Sequence, residues 1–256
     1  MTVTRRKFLQ TAAVSALTVM AAPGPARAFE LPGRMSPGPE ALKAKRWGMV
    51  VDMRRCPPGC AGDCIKACHT VHNVPFIPAP EHHVMWLFRE PYENAFPEQS
   101  RGLAGERIGK GTYLLLCNHC DDPPCVRVCP TQATFKREED GIVMMDYHRC
   151  IGCRFCMAAC PYGSRSFNFR DPRPFIPKIT PDYPTRAKGV VEKCNFCQER
   201  LALGRGPACV AACPEGVLTF GDLADPHSEV SKILARRPHM RRKPELGTGP
   251  SVYYLV

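Results

Sequence analysis

Between residues 150 and 161 the chain reads CIGCRFCMAACP, with thiols at Cys150, Cys153, Cys156 and Cys160 and a proline directly after the last. Three cysteines at two-residue intervals let one loop present three thiolates to the same inorganic cube. This C-x2-C-x2-C-x3-C-P spacing is that of bacterial iron–sulfur sites. The fourth thiol lies one helical turn further on and, where two clusters are present, ligates the other one. A partner run is therefore expected. It stands upstream as Cys117, Cys120, Cys125 and Cys129, followed by Pro130, with Pro123 and Pro124 inside a loop widened by two residues. Exchange of the two fourth thiols gives two ligand sets: Cys117, Cys120 and Cys125 with Cys160, and Cys150, Cys153 and Cys156 with Cys129.

Two further groups flank this pair. Cys56, Cys60, Cys64 and Cys68 are spaced C-x3-C-x3-C-x3-C, with Pro57, Pro58, Gly59 and Gly62 in the loops and His69 where proline follows elsewhere. A zinc site is a competing reading of this less regular group. Cys194, Cys197, Cys209, Cys213 and Pro214 form a C-x2-C-x11-C-x3-C-P with an expanded middle loop containing Gly204, Gly206 and Pro207. All 16 cysteines thus fall into four groups of four. As a bare count in an exported chain they would suggest a disulfide scaffold, but their spacing argues for clusters. Two arrangements remain open: the first group pairs with the fourth around an inserted inner pair, or the groups pair side by side, first with second and third with fourth.

The elements that must position these thiols are short. Trp47–Asp52 reads as a buried strand leading into Cys56, and Thr112–Leu116 as a strand feeding Cys117. Residues 134–146 read as a hairpin turning at Asp140-Gly141. Val217–Phe220 and the terminal SVYYLV are strand-like. Strand, cluster loop, one helical turn ending in Cys-Pro, strand: this predicts an α+β fold of duplicated two-cluster ferredoxin modules, with cluster ligation standing in for much of the core. Residues 29–45 are an irregular, Pro/Gly-rich lead-in. The stretch 167–191, with Pro172, Pro174, Pro177, Pro181 and Pro184, is either a structured bridge or a docking surface.

The first 28 residues read as an address. Arg5 and Arg6 precede Phe8 and Leu9, an apolar stretch runs from Thr11 to Ala22, and Ala26–Ala28 supplies an Ala-x-Ala end, the pattern of a twin-arginine signal. Cleavage is expected before Phe29, an uncleaved anchor being the alternative; the apolar stretch is short for a membrane span. Twin-arginine export carries folded proteins, so clusters assembled in the cytoplasm would work in the periplasm, where exposed thiols would otherwise be oxidised.

The formal charge of +11 needs correction. Removing Arg5, Arg6, Lys7 and Arg27 leaves 31 basic and 24 acidic residues, a net +7. Four clusters carrying about two negative charges each would bring the loaded protein near neutrality, which speaks against a nucleic-acid partner. The basic run 236–243 reads as a solvated or partner-facing loop. His69, His72, His82 and His83 read as surface or hydrogen-bonding residues rather than ligands. No CxxCH encodes covalent haem, and no Rossmann fingerprint, P-loop or nucleophile elbow is present. The chemistry-bearing residues are cluster ligands, which predicts an electron-transfer subunit without catalytic residues of its own.

Together these motifs resemble the four-cluster iron–sulfur subunits that accompany molybdopterin oxidoreductases and quinone-reactive membrane proteins. The segments DMRRCPPGCAGDCIKACHTVHNVP, EHHVMWLFREPYENAFP and LLLCNHCDDPPCVRVCPTQATFKREEDGIVMMDYHRCIGCRFCMAACPYGSRSF are more narrowly similar to the DsrO family, periplasmic subunits of the DsrMKJOP membrane complexes of dissimilatory sulfur metabolism. That resemblance implies nesting: an outer module over 46–75 and 189–222, an inner module over 112–170, insertions at 76–111 and 171–188, and a tail at 223–256, all within a domain spanning 29–256. It also implies outer ligand sets of Cys56, Cys60 and Cys64 with Cys213, and Cys194, Cys197 and Cys209 with Cys68. Four [4Fe-4S] clusters would then connect a multi-spanning quinone-site membrane subunit with a periplasmic multihaem cytochrome c, among other subunits of the complex, the chain itself lying peripherally on the membrane. The alternatives are an iron–sulfur subunit of a periplasmic molybdopterin oxidoreductase and, from another class, an exported disulfide- or zinc-stapled binding module.

Overall fold

The computed structural model describes residues 38–57, 60, 62–98 and 111–256. The expected signal at 1–28 and most of the lead-in lie outside these residues. Strand β1, Trp47–Val51, is buried at all five positions and passes through a single 3-10 turn to Cys56. Helix α1, Asp63–Val71, starts after Gly62, whose left-handed φ of 78° reverses the chain. Cys64 and Cys68, four residues apart, share one buried face of this helix.

Strand β2, Leu87–Pro91, runs into a single helical turn, α2, Tyr92–Ala95. It pairs antiparallel with β3, Thr112–Leu116, in a register from Leu87↔Leu116 to Pro91↔Thr112. The inner cysteine groups follow on α3, Pro124–Arg127, the hairpin β4, Thr134–Lys136, with β5, Val143–Met145, and α4, Phe155–Ala158. Gly141 supplies the hairpin's left-handed residue at φ 76°. Strands β6, Ser166–Phe167, and β7, Val191–Glu192, close the proline-rich segment between them. The remaining elements are α5, Gln198–Leu201, α6, Ala208–Ala211, β8, Leu218–Asp222, α7, Glu229–Arg236, β9, His239–Met240, and β10, Val252–Leu255.

The largest sheet has the order β8-β1-β10-β9, with β10 parallel to β1 and β8 antiparallel to it. The pairing of β1 with β8 and the packing of α1 on α6 bring the first and fourth cysteine groups together. The contact of α3 with α4 does the same for the second and third. Residues Ser36–Val256 form one compact unit.

An apolar core continues well beyond the thiols, so the expectation that ligation replaces much of the core is too strong. Met49, Val51, Trp86, Leu87, Phe96, Leu114, Leu115, Leu116 and Tyr254 belong to one buried cluster. Tyr254 ties the sheet to the β2–β3 pair: its hydroxyl donates to the Leu114 carbonyl at 3.0 Å and its ring meets Phe96 edge-on. Helix α7 is capped by the Ser228 hydroxyl, which accepts from the Ser231 amide, and Val230 seals it against Val50 and Leu255. The basic run is not simply a solvated loop. Arg237 pairs with the buried Asp52, and Arg242 is internal, donating to the carbonyls of Ala95 and Tyr162.

The proline-rich stretch is a structured bridge. Its Arg186 is fully buried against Glu192, donates to the carbonyls of His72 and Asn73, and lies over the Trp86 ring. Glu192 also accepts from Trp86 Nε1 and Asn168 Nδ2. Removing one member of a buried pair strands the other charge and costs about 3–5 kcal/mol. Glu192→Gln is therefore expected to lower the midpoint of anaerobic thermal unfolding by at least roughly 6 °C, read as loss of near-ultraviolet circular dichroism; an unchanged midpoint would remove this network from the framework.

Candidate metal centres

Each C-x2-C turn needs its two thiols on one side of the loop, and in three of the four the backbone achieves this with a left-handed residue directly before the second cysteine, while between Cys153 and Cys156 the left-handed residue is Arg154. His119, Gly152 and Phe196 occupy that position with φ of 43°, 70° and 54°. In Gly152 the reason for glycine is visible: a Cβ there would stand 2.4 Å from the Gly189 carbonyl oxygen. His119 and Phe196 stack on one another with ring centroids 3.7 Å apart, locking the second and fourth cysteine groups face to face. Phe196 then meets Phe220, which stacks on Trp47 of β1.

None of the 16 cysteines is joined in a disulfide, and they gather in fours, a placement that does not match a disulfide-stapled module. Cys117, Cys120, Cys125 and Cys160 line one cavity together with Arg165. Cys129, Cys150, Cys153 and Cys156 line another. Cys56 has Cys60 and Cys213 beside it, and Cys64 is pushed up to about 11 by burial, with Cys213 and Cys60 adding to the rise. Cys68 is held far above the ordinary thiol range by burial and by Cys209, Cys194 and Cys197 around it. The first group is therefore split: three of its thiols gather with Cys213, while Cys68 reaches into the fourth group. A zinc site made of the first group alone does not match that placement.

The four gatherings adjoin one another in series. Cys209 is pushed up to about 12 by burial and by the neighbouring Cys64. Cys194 is raised by burial and by Cys117, and Cys156 by burial with Cys125 beside it. The order is thus the Cys56, Cys68, Cys117 and Cys150 gatherings. Cys68, Cys194, Cys197 and Cys209 are all buried, whereas Cys153 is exposed at one end and Cys56, Cys60 and Cys213 are half-buried at the other.

The surroundings suit a negatively charged group. Backbone amides of Gly62, Phe196, Ala208 and Val217 approach the sulfurs of Cys60, Cys194, Cys197 and Cys213, each at 3.4 Å. Arg165 Nη2 lies 3.0 Å from Cys125 Sγ, and Arg89 Nη2 3.6 Å from Cys56 Sγ. Lys193 is buried beside the Cys194 thiol. Four converging thiols with cations and amides at their backs fit an iron–sulfur cube. Sequence spacing carries no signal for Arg89, Arg165 or Lys193, because their reach depends on tertiary packing.

The histidines divide. His72 is buried, with Nδ1 2.8 Å from the Cys68 carbonyl and Nε2 2.8 Å from Glu199, and it stacks on Trp86. Its nitrogen, the Cys197 sulfur and a Glu199 oxygen lie within 4.8 Å of one another, but both of its nitrogens already face protein partners. His69 is driven down to about 4 by burial, and His83 is exposed. His119, unremarked in the sequence, is kept neutral by burial and by Lys193 and Arg165 nearby; its Nδ1 accepts from the Val143 amide at 3.1 Å. Among the described residues no helix is long and apolar enough to cross a membrane.

Comparison with known proteins gives the same chemistry. The family model of the 4Fe-4S dicluster domain matches residues 113–172 and 177–223. The chain is 40% identical over 273 residues to Hdr-like menaquinol oxidoreductase iron-sulfur subunit 1 of Archaeoglobus fulgidus, covering 98% of this chain and 97% of that protein. It is 39% identical to arsenate respiratory reductase iron-sulfur subunit ArrB of a Shewanella species, over 82% of this chain and 96% of that one. With the menaquinone reductase iron-sulfur cluster-binding subunit of Nitratidesulfovibrio vulgaris it shares 38% identity, over 82% and 88% respectively.

Gly152→Ala tests the turn geometry. A left-handed alanine whose Cβ meets backbone cannot relax by a side-chain movement, so the Cys150 loop is expected to open. Purified anaerobically, the variant should carry about four fewer iron atoms per chain than the parent; full iron content would show that the loop tolerates the side chain.

Proposed function

Because the chain belongs to the family of iron–sulfur subunits of quinol and molybdopterin oxidoreductases that contain 4Fe-4S dicluster domains, we propose that it is an electron-conducting subunit holding four [4Fe-4S] clusters in series. The ligand sets are Cys56, Cys60, Cys64 and Cys213; Cys68, Cys194, Cys197 and Cys209; Cys117, Cys120, Cys125 and Cys160; and Cys129, Cys150, Cys153 and Cys156. The observation that carries this reading is the serial adjacency of Cys64 with Cys209, Cys117 with Cys194, and Cys125 with Cys156, with buried thiols inside and accessible ones at both ends.

When bound, such clusters supply one-electron carriage at potentials set by hydrogen bonding, charge and exposure. The chain does the rest. Its left-handed turns hold the thiols, its apolar core excludes water from the interior gatherings, and its half-buried ends leave points where electrons enter and leave. The same contacts support nested modules: the first and fourth groups, which flank the inner pair in sequence, pack on one another through α1 and α6.

Within the family, the reading taken further is a periplasmic subunit of a DsrO-type complex, exported by the twin-arginine route and set between a quinone-site membrane subunit and a multihaem cytochrome. The twin arginine at Arg5 and Arg6 and the quoted flanking segments support it. The likeness to the arsenate reductase subunit favours a second reading, a partner of a molybdopterin reductase. Purification of the native complex separates the two: a multihaem cytochrome supports the first, a large molybdenum-containing subunit the second.

Iron and acid-labile sulfide on the anaerobically purified chain are expected at about sixteen of each. Near twelve would remove one site. Near zero, with zinc in place of iron, would overturn the proposal.

A further inference from the structure

Arg165, Lys193 and Arg242 are buried without a carboxylate partner among the described residues, and the first two stand against thiols. Arg165 is buried, with Nη2 on the Cys125 sulfur at 3.0 Å and on the Thr134 hydroxyl at 2.8 Å, and it stands beside Cys156 and Cys117. Lys193 is buried, with Nζ donating to the carbonyls of Val143 and Cys194, beside the Cys194 thiol and His119. Neither has an ion-pair partner among the described residues, although Arg186, equally deep, has Glu192. An unbalanced charge in a dry interior is strongly disfavoured, so negative charge must reach both cations from the thiolates and the group they hold.

Their placement is specific. Arg165 occupies the gap between the Cys117 and Cys150 gatherings, and Lys193 the gap between the Cys68 and Cys117 gatherings. The Cys117 gathering is thus the one flanked on both sides. Of the other charges, Arg89 is at Cys56, Glu199 adjoins Cys68 and Cys197, and Arg242 lies over the ring of Tyr162, which lines the Cys117 cavity.

Resting on the four-cluster reading above, we infer that Arg165 and Lys193 are positioning residues that raise the reduction potential of the Cys117–Cys120–Cys125–Cys160 centre and make it the electron-holding station of the chain. Uptake of one electron adds one negative charge, and a fixed cation stabilises the reduced form, more so where the surroundings are apolar. The electron comes from a neighbouring centre and no proton needs to move. Arg165 acts also on the Cys150 centre and Lys193 also on the Cys68 centre, so the Cys117 centre is the one both share.

The test is an EPR-monitored redox titration of the anaerobically purified full chain, compared with Arg165→Met, Lys193→Met and Arg165→Lys. Each methionine variant is expected to lower two of the four midpoints, one of them common to both. The shared midpoint should fall by about 59 mV, a tenfold change in the reduced-to-oxidised ratio for one electron. Arg165→Lys, which keeps the charge, should move it much less. Unmoved midpoints with full iron content would overturn the inference, as would a shift in Arg165→Lys equal to that in Arg165→Met. If Arg165→Met fails to assemble, Arg165→Gln keeps an N–H near Cys125 without the charge and is expected to show the same fall; no fall would overturn the inference. The parent's iron and sulfide content judges the four-cluster reading separately, since full iron with unmoved midpoints defeats the role of the cations alone.

Discussion

Sixteen cysteines gathered in fours, nine of them buried, concentrate negative charge once they act as thiolates, and much of the structure answers that demand. Amides of Gly62, Phe196, Ala208 and Val217 face sulfur. Arg89, Arg165 and Lys193 lie behind the sites, where an apolar protein would place leucine. Charge buried without partners is among the most expensive features a fold can contain. Here the partners are distributed around each gathering, so the sites and the framework stabilise one another.

The same logic explains the left-handed turns. A loop that directs several thiols at one point must curl more tightly than ordinary β or α geometry permits, and His119, Gly152 and Phe196 bear that curl. Two of the three are not glycine. A non-glycine residue in this region costs free energy that its surroundings must offset, and the His119–Phe196 stack is where that offset is visible. Distortion imposed by ligation is thereby turned into the contact that registers one half of the molecule against the other.

How much of this was legible in the sequence follows from which interactions are local. Cysteine spacing is local, so all four groups could be read, as could β1, β3, the hairpin at Gly141 and the terminal strand. β2 escaped because Leu87–Pro91 alternates weakly and owes its form to pairing with β3. Helix α7 was missed within a segment read as a tail, although Ser228 followed by the amphipathic EVSKILAR is a fair capping signal. The basic run misled because charge predicts exposure on average, while Arg242 finds carbonyls and an aromatic ring inside. Arg165 and Lys193 look ordinary in sequence, and their significance depends on what lies across a gap.

The placement of β10 carries a kinetic consequence. It lies between β1 and β9, with Met49 paired to Val252, so the largest sheet joins segments separated by roughly 200 residues, a contact that forms late in folding. During synthesis β1 must wait for about 200 further residues to emerge before this neighbour arrives. Until then Trp47, Met49 and Val51 have no finished sheet beside them, and the first cysteine group has no anchored floor. Closure of this sheet therefore comes after all four cysteine groups have been made, so the outer gatherings gain their strand framework only once their last thiol, Cys213, is in place.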